Sequence, residues 1–233
     1  MDAPPPCTAE PVEAVLFDFH STLVDQGDTT DWIERAWRHA GRPGDAAEGL
    51  GHAALERLAA FADRVWEHAR DVDPASERDL DPVRHRSVFI SVAGEAPGVD
   101  AELAAALYAT MLPTWRPYDD AVPVLSALRD RGVRTGLVSN IGIDVRGLLA
   151  DEGLAELLDA VVLSYELGVV KPHVGIFEEA TRRLGVAPER TLMVGDSWRD
   201  DAGAAQLGIR TLLLPPTAGP AHGLALVLRL VGG

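Results

Sequence analysis

The chain has 233 residues, 47% hydrophobic and 24% charged, with 36 acids against 21 Lys and Arg and a formal net charge of −15. That length suits one large domain, or a core with a smaller inserted domain. The acidic balance argues against a nucleic-acid or anionic-membrane surface, though not against a phosphorylated substrate, because a bound cation can dominate the local field.

Residues 1–11, "MDAPPPCTAEP", are Pro-rich and polar and read as a flexible tail. They lack the basic and apolar regions of a signal peptide. The lone Cys7 cannot close an internal disulfide, which points to a reducing compartment. No apolar run approaches the roughly 18 residues needed to span a bilayer, so a cytoplasmic protein is expected. "VEAVLFDF" then reads as a buried strand, because its apolar residues run on without alternating.

From Gly27 to Pro113 the pattern is helical. Apolar positions recur at Trp32, Ala36, Trp37 and Ala40, then at Leu50, Ala54, Leu58, Phe61, Val65 and Ala69, and again at Val99, Leu103, Leu107 and Met111. Asp73-Pro74, Asp81-Pro82 and Ala96-Pro97-Gly98 are turn signals between them. "SVFISV", Ser87 to Val92, is the one stretch with strand character. "GLGHAA" at Gly49 matches part of a dinucleotide fingerprint but follows no strand, so it reads as small residues in a helix.

From Thr114 on, helices and strands alternate. "DDAVPVLSALRDRG" is helical and "VRTGLVSN" a strand; "DVRGLLADEGL" is helical and "AVVLSYEL" a strand. "HVGIFEEATRRLG" is helical, "TLMVGDS" a strand, "DAGAAQLG" a short helix and "RTLLL" a strand. Gly132, Gly185 and Gly208 stand where three helices end. This rhythm predicts an α/β fold, a doubly wound parallel sheet of Rossmann-like type, with the helical block inserted after its first strand. The expected division is a core of residues 12–26 and 114–233 and a helical cap of residues 27–113. "GLALVLRLV" at the C-terminus reads as a last core helix or a contact surface, and a monomer and a homodimer both remain open.

Ligands of such sheets bind beyond the carboxyl ends of the strands. The polar residues there are Asp18 and His20, Ser139 and Asn140, Lys171, and Asp196 with Ser197. Each alone has a bland reading, since strand-end Ser, Asn and Asp often cap the next helix. Two acids, a hydroxyl and a lysine at four strand ends form a set suited to phosphoryl transfer. A carboxylate can form an aspartyl-phosphate, carboxylates and substrate oxygens hold a small hard cation such as Mg²⁺, and Lys and Ser donate to phosphoryl oxygens.

These motifs resemble those of the haloacid dehalogenase superfamily, in its branch with a helical cap after the first motif. The resemblance spans roughly Val12 to Pro215. "FDFHSTL" resembles the first motif, "LVSN" the second, "VVKPHVGIFEEATRRLG" the third and "VGDSWRDDAGAAQLG" the fourth. It implies Asp18 as nucleophile, Ser139 and Lys171 as phosphoryl-binding catalytic groups, and Mg²⁺ held by Asp18, Asp196, Asp201 and the backbone carbonyl of His20. Asp200 competes with Asp201 for the last acidic role. Where family phosphatases carry an acid/base Asp and dehalogenases a Tyr, this chain has His20, and imidazole can move protons near neutrality. Mg²⁺ would push its pKa down and Asp18 would push it up.

The resemblance thus implies an Mg²⁺-dependent hydrolase of a small phosphomonoester, with a small phosphorylated substrate and no nucleic-acid or membrane partner. The alternatives are carbon–halogen hydrolysis by Asp18, or a catalytically weak member that acts by binding. Elsewhere, Arg84, His85 and Arg86 read as a solvated cluster more readily than an anion site, and Trp32 and Trp37 read as core. His39, His52 and His68 lack metal-ligand spacing. His173 fits a helix start as well as a site border, and Trp198 and Arg199 lie inside the fourth motif.

Overall fold

The computed structural model describes residues 10–217 and 219–232. Cys7 and most of the expected N-terminal tail lie outside the described residues. In chain order the strands are β1 (Ala14–Phe17), β2 (Val24–Asp25), β3 (Arg116–Pro117), β4 (Arg134–Ser139), β5 (Ala160–Leu163), β6 (Thr191–Gly195) and β7 (Arg210–Leu213). Five of them form one parallel sheet in the order β5-β4-β1-β6-β7.

β1 is central and fully buried, which is why its sequence is continuously apolar. Phe17 pairs with Leu137 on one side and Val194 on the other. The chain therefore winds one way through β4 and β5 and the other way through β6 and β7. The crevice where the winding reverses lies at the carboxyl ends of β1, β4 and β6. Asp18, Ser139 and Asp196 emerge along that edge.

The helices of the inserted block are α1 (Thr29–His39), α2 (Ala46–Leu50), α3 (His52–Ala62), α4 (Val65–Val72), α5 (Pro82–Ala93) and α6 (Ala101–Met111). Aspartates start four of them: Asp28, Asp45, Asp81 and Asp100 each accept a backbone N–H three residues on, satisfying a donor the helix leaves free. Pro82 at the first turn of α5 needs no N–H partner there. "SVFISV" lies inside α5 and is helical. Asp81 and Pro82 nucleate that helix, and burial of Phe89, Val92 and Ala93 on one side sustains it, so packing overrides the β-branched content. The long apolar series from Leu50 to Ala69 is broken into three helices, at Gly51 and at Asp63-Arg64. Trp32 is buried against Phe89, and its indole N–H donates to Leu107 O at 3.0 Å, tying α1 to α6.

The chain enters and leaves this block side by side. β2 and β3 pair antiparallel, Val24 with Pro117 and Asp25 with Arg116. Gly27 follows with a φ of +72°, and a Cβ there would lie 2.7 Å from Thr114 O. Only glycine permits both the left-handed turn and that approach.

The core helices are α7 (Ala121–Asp130), α8 (Arg146–Asp151), α9 (Ser164–Leu167), α10 (Val174–Leu184) and α11 (Ala225–Val231). Gly132, Gly185 and Gly208 leave their helices at positive φ, as predicted. "AVVLSYEL" is strand only as far as Leu163 and then turns into α9, where the Ser164 hydroxyl accepts the Ile141 N–H and donates to Asp79 O. "DAGAAQLG" forms a 3-10 helix over Asp201–Leu207. α11 packs on α7 through buried Val227, with Leu226 and Leu230 partly exposed.

Candidate active site

At the reversal point the structure brings together Asp18, Lys171, Asp196 and Asp201. The Lys171 ammonium donates to Asp18 Oδ1 at 2.6 Å and to Asp201 Oδ1 at 2.7 Å. Asp18, Asp196 and Asp201 each present a carboxylate oxygen, and these three lie within 4.8 Å of one another. Lys171 is 3% and Asp201 0% exposed, so the pair is enclosed in protein.

Each side chain has a local reason for its place. The Asp18 N–H donates to Val194 O at 2.9 Å, extending the β1–β6 ladder by one residue and fixing the turn-out of the side chain. Lys171 is clamped by Asn140, whose Oδ1 accepts from Lys171 N at 2.7 Å and whose Nδ2 donates to Lys171 O at 3.0 Å. Asp201 Oδ2 accepts the Ser197 N–H at 2.9 Å. Gly195 makes room for it: a Cβ at that position would lie 2.1 Å from Asp201 Oδ2. Ser139 is buried at the end of β4, beside β1 in the same row.

The cluster crowds three acids around one ammonium. Burial raises the Asp196 carboxyl above the usual carboxylate range, and the charges of Asp18 and Asp201 push it further. Burial raises Asp201 as well, with Lys171 pulling down and Asp18 pushing up. Burial alone would lower the Lys171 ammonium, but Asp18 and Asp201 outweigh it and hold that pKa above its ordinary value. With all three acids ionised, one ammonium would leave uncompensated negative charge in a buried place. Hard oxygen donors carrying that charge fit a small divalent cation such as Mg²⁺, which one or two carboxylates plus substrate oxygens typically hold.

His20 does not bond to the acid cluster. Its ring lies against Trp115, with centroids 4.6 Å apart, and Ser21 Oγ is 3.2 Å from its Nδ1. Its Nε2 is buried without a hydrogen-bond partner among the described residues. Burial lowers the imidazole pKa to about 4, against an opposing pull from Asp25 and not from Asp18. At neutral pH the ring is neutral.

Asp200 and Asp201 face different ways. Asp200 Oδ2 accepts from Ser197 Oγ at 2.7 Å and from Arg70 of the helical block at 3.0 Å, and only Asp201 joins the cluster. Arg84 is partly exposed and pairs with Asp73 and Glu77, but His85 is not the solvated residue its neighbours suggested. It is 2% exposed, packs on Trp66 and lies 2.9 Å from Tyr108 Oη, because α5 turns that face inward. His173 caps α10 by accepting the Gly175 N–H at 3.1 Å. His68 stacks on Phe61, Trp32 and Trp37 are buried, and Trp198 is 67% exposed with the Arg199 guanidinium 4.8 Å above it.

Two contributions were beyond the sequence reading. Asn140, a strand-end candidate with no assigned role, is the clamp on Lys171, 31 residues away. Arg70 and Asp79 reach the core from the helical block, Arg70 to Asp200 and Asp79 O to the Ser164 hydroxyl at 2.6 Å. No local pattern marks contacts of such separation.

Known proteins share both fold and sequence with this chain. It is 35% identical over 208 residues to a glyceraldehyde 3-phosphate phosphatase of Methanothermobacter thermautotrophicus, covering 87% of this chain and 85% of that protein. It is 36% identical over 174 residues to a phosphoserine phosphatase of Thermus thermophilus, covering 71% and 66%. The solved structure of an L-2-haloacid dehalogenase from Xanthobacter autotrophicus matches with a TM-score of 0.65 at 24% identity, over 95% of this chain and 83% of that one, a likeness of fold. With residues 12–208 also matching the model of the haloacid dehalogenase-like hydrolases, the chain belongs to that family of enzymes.

Proposed function

We propose that this enzyme is an Mg²⁺-dependent hydrolase of a small phosphomonoester, working through an aspartyl-phosphate on Asp18. The observation that carries the reading is the Lys171 ammonium bridging Asp18 and Asp201 inside a cluster of three carboxylates at the sheet's reversal point. The names of the two phosphatase relatives, both referring to three-carbon phosphomonoesters, support a substrate of that size.

Asp18 attacks phosphorus, the bond from phosphorus to the ester oxygen breaks, and the leaving alkoxide takes up a proton from solvent. Water then attacks the acyl phosphate, releasing inorganic phosphate and restoring Asp18. Lys171 and Ser139 would donate to the phosphoryl oxygens, a kind of contact worth typically ~10²–10³ in kcat when one donor is removed. Asp18, Asp196, Asp201 and the His20 carbonyl would hold the cation, which supplies charge neutralisation for the approach of carboxylate to phosphate. His20, neutral at neutral pH, is suited to accept a proton from the attacking water.

Residues 27–113 act as a cap on the core of residues 12–26 and 114–233, hinged at the β2–β3 crossing. Closing it excludes bulk water and selects the substrate. Carbon–halogen hydrolysis is the weaker reading. Displacement of halide by Asp18 calls for no cation and leaves the three-carboxylate cluster without a purpose.

The test is a panel of small phosphomonoesters with and without Mg²⁺. Phosphate release from at least one ester, lost on chelation and in Asp18→Asn, is expected. No release from any ester, or equal release in chelator, would overturn the assignment.

A further inference from the structure

Besides its hinge, the helical block meets the core through two polar contacts of different kind. One is a buried hydrogen bond set in close packing. Ser164 Oγ donates to Asp79 O, and a Cβ on Gly142 would lie 2.5 Å from Arg78 O and 2.6 Å from His85 Cβ. The other, near enough for Asp79 to feel both its charges, is a partly exposed ion pair. Arg70, near the end of α4, donates to Asp200 Oδ2 at 3.0 Å across 130 residues of chain.

That ion pair is the outer end of an unbroken polar chain. Asp200 Oδ2 also accepts from Ser197 Oγ at 2.7 Å, and the Asp200 N–H donates back to Ser197 Oγ at 3.2 Å. The Ser197 N–H donates to Asp201 Oδ2 at 2.9 Å. Asp201 Oδ1 takes the Lys171 ammonium at 2.7 Å, and Lys171 reaches Asp18 at 2.6 Å. The loop of residues 197–201 is therefore held by Lys171 at one end and by Arg70 at the other, and packs on Gly195 where a Cβ would not fit. Only Arg70 comes from the inserted block. The side chains of Arg70 and Asp200 are 39% and 18% exposed, so the pair is formed at the edge of the cleft, where it can break when the block moves.

We propose that Arg70 is a positioning residue, which sets the orientation of Asp201, and through it of Lys171, when the helical block lies against the core. It touches neither phosphoryl group nor cation. Its effect is to make the assembled acid cluster depend on the docked block, so that the cluster is complete only in the closed molecule. The inference rests on the reading of Asp201 as part of the catalytic cluster.

The experiment compares full-length wild type with Arg70→Ala, Arg70→Lys, Asp200→Asn and the double variant Arg70→Ala/Asp200→Asn. Mg²⁺ affinity is read by titration calorimetry without substrate, and kcat and KM on an ester that wild type hydrolyses. Arg70→Ala is expected to weaken Mg²⁺ binding and lower kcat by about 10-fold each, the lower end of the ~10–100-fold lost when partners behind a metal ligand are removed. KM changes less than kcat, and Arg70→Lys recovers part of the loss. The double variant is no worse than the worse single one, because both act through one bond. Arg64→Ala, which removes only the exposed Arg64–Glu67 pair at the start of the same helix, leaves both readouts unchanged. Unchanged Mg²⁺ affinity in Arg70→Ala, additive losses in the double variant, or no recovery in Arg70→Lys would overturn the proposal. If wild type binds Mg²⁺ but hydrolyses no ester, the proposed function fails and calorimetry still decides the role of Arg70. If wild type binds no Mg²⁺, both readings fall.

Discussion

Asn140 and Lys171 hold each other by a closed pair of hydrogen bonds, side-chain amide to backbone N–H and C=O. This clamp joins the end of β4 to the loop carrying the lysine, so the position of the ammonium is set by β4 as much as by its own loop. Asn140→Ala is expected to lower kcat by about 100-fold, the cost of a misplacement of order 1 Å at a reacting centre. Steady-state kinetics check it. Asn140→Asp should be nearly as poor, because a carboxylate cannot donate to Lys171 O.

Lys171 itself is enclosed, and its removal leaves the acids facing one another. Lys171→Ala is expected to lose about 3–5 kcal/mol of stability at neutral pH, as when one partner of a buried pair is deleted. Denaturant unfolding measures this. Added Mg²⁺ should restore part of it, since a ligand that binds only the folded state stabilises by mass action. Restoration by Ca²⁺ or Mg²⁺ in the variant, with none in Lys171→Ala/Asp196→Asn, would place the effect at the cluster.

The raised pKa values of Asp196 and Asp201 predict how cation binding responds to pH. A carboxyl raised in the folded protein keeps its proton at pH values where an ordinary carboxylate has lost it. Mg²⁺ must displace that proton, so binding releases protons and tightens as pH rises through the raised values. Calorimetry in buffers of different ionisation enthalpy reads the release directly. Affinity that stays flat from mildly acidic to mildly alkaline pH would show that the acids are already ionised.

His20 gives the opposite sign. Its pKa is lowered to about 4, so the ring gains a proton only as pH falls towards that value, and its capacity as a base is intact across neutral pH. If it activates the attacking water, His20→Ala slows breakdown of the aspartyl-phosphate by typically ~10²–10⁴-fold. A burst of p-nitrophenolate from p-nitrophenyl phosphate then survives in the variant while steady turnover falls. Absence of a burst, with the loss confined to alkyl esters, would make His20 the acid on the leaving group.

The fold was legible because its signals are short-range. The apolar run of β1, the helical periodicity of the inserted block and the glycines that end helices each act within a few residues. The candidate site was legible where it sits at strand ends, since strand order alone carries Asp18, Ser139 and Asp196 to one edge. What escaped was decided by partners far along the chain. Asp200 and Asp201 are adjacent and chemically alike, and only the contact with Arg70 or with Lys171 separates them. His85 sits between two arginines and looks solvated until α5 is packed against Trp66 and Tyr108. The helical character of "SVFISV" likewise comes from its cap and its burial, not from its composition.

The central claim is that Asp18 carries the phosphoryl group, and trapping that adduct tests it most directly. Enzyme mixed with a hydrolysed phosphomonoester and Mg²⁺, quenched in acid within a single turnover and digested, would be searched by mass spectrometry for phosphate on the peptide containing Asp18. The account predicts phosphate on Asp18 in wild type, more of it in His20→Ala, and none in Asp18→Asn, which has also lost turnover. Turnover in Asp18→Asn close to that of wild type, or a phosphoryl group trapped on another residue, would contradict it.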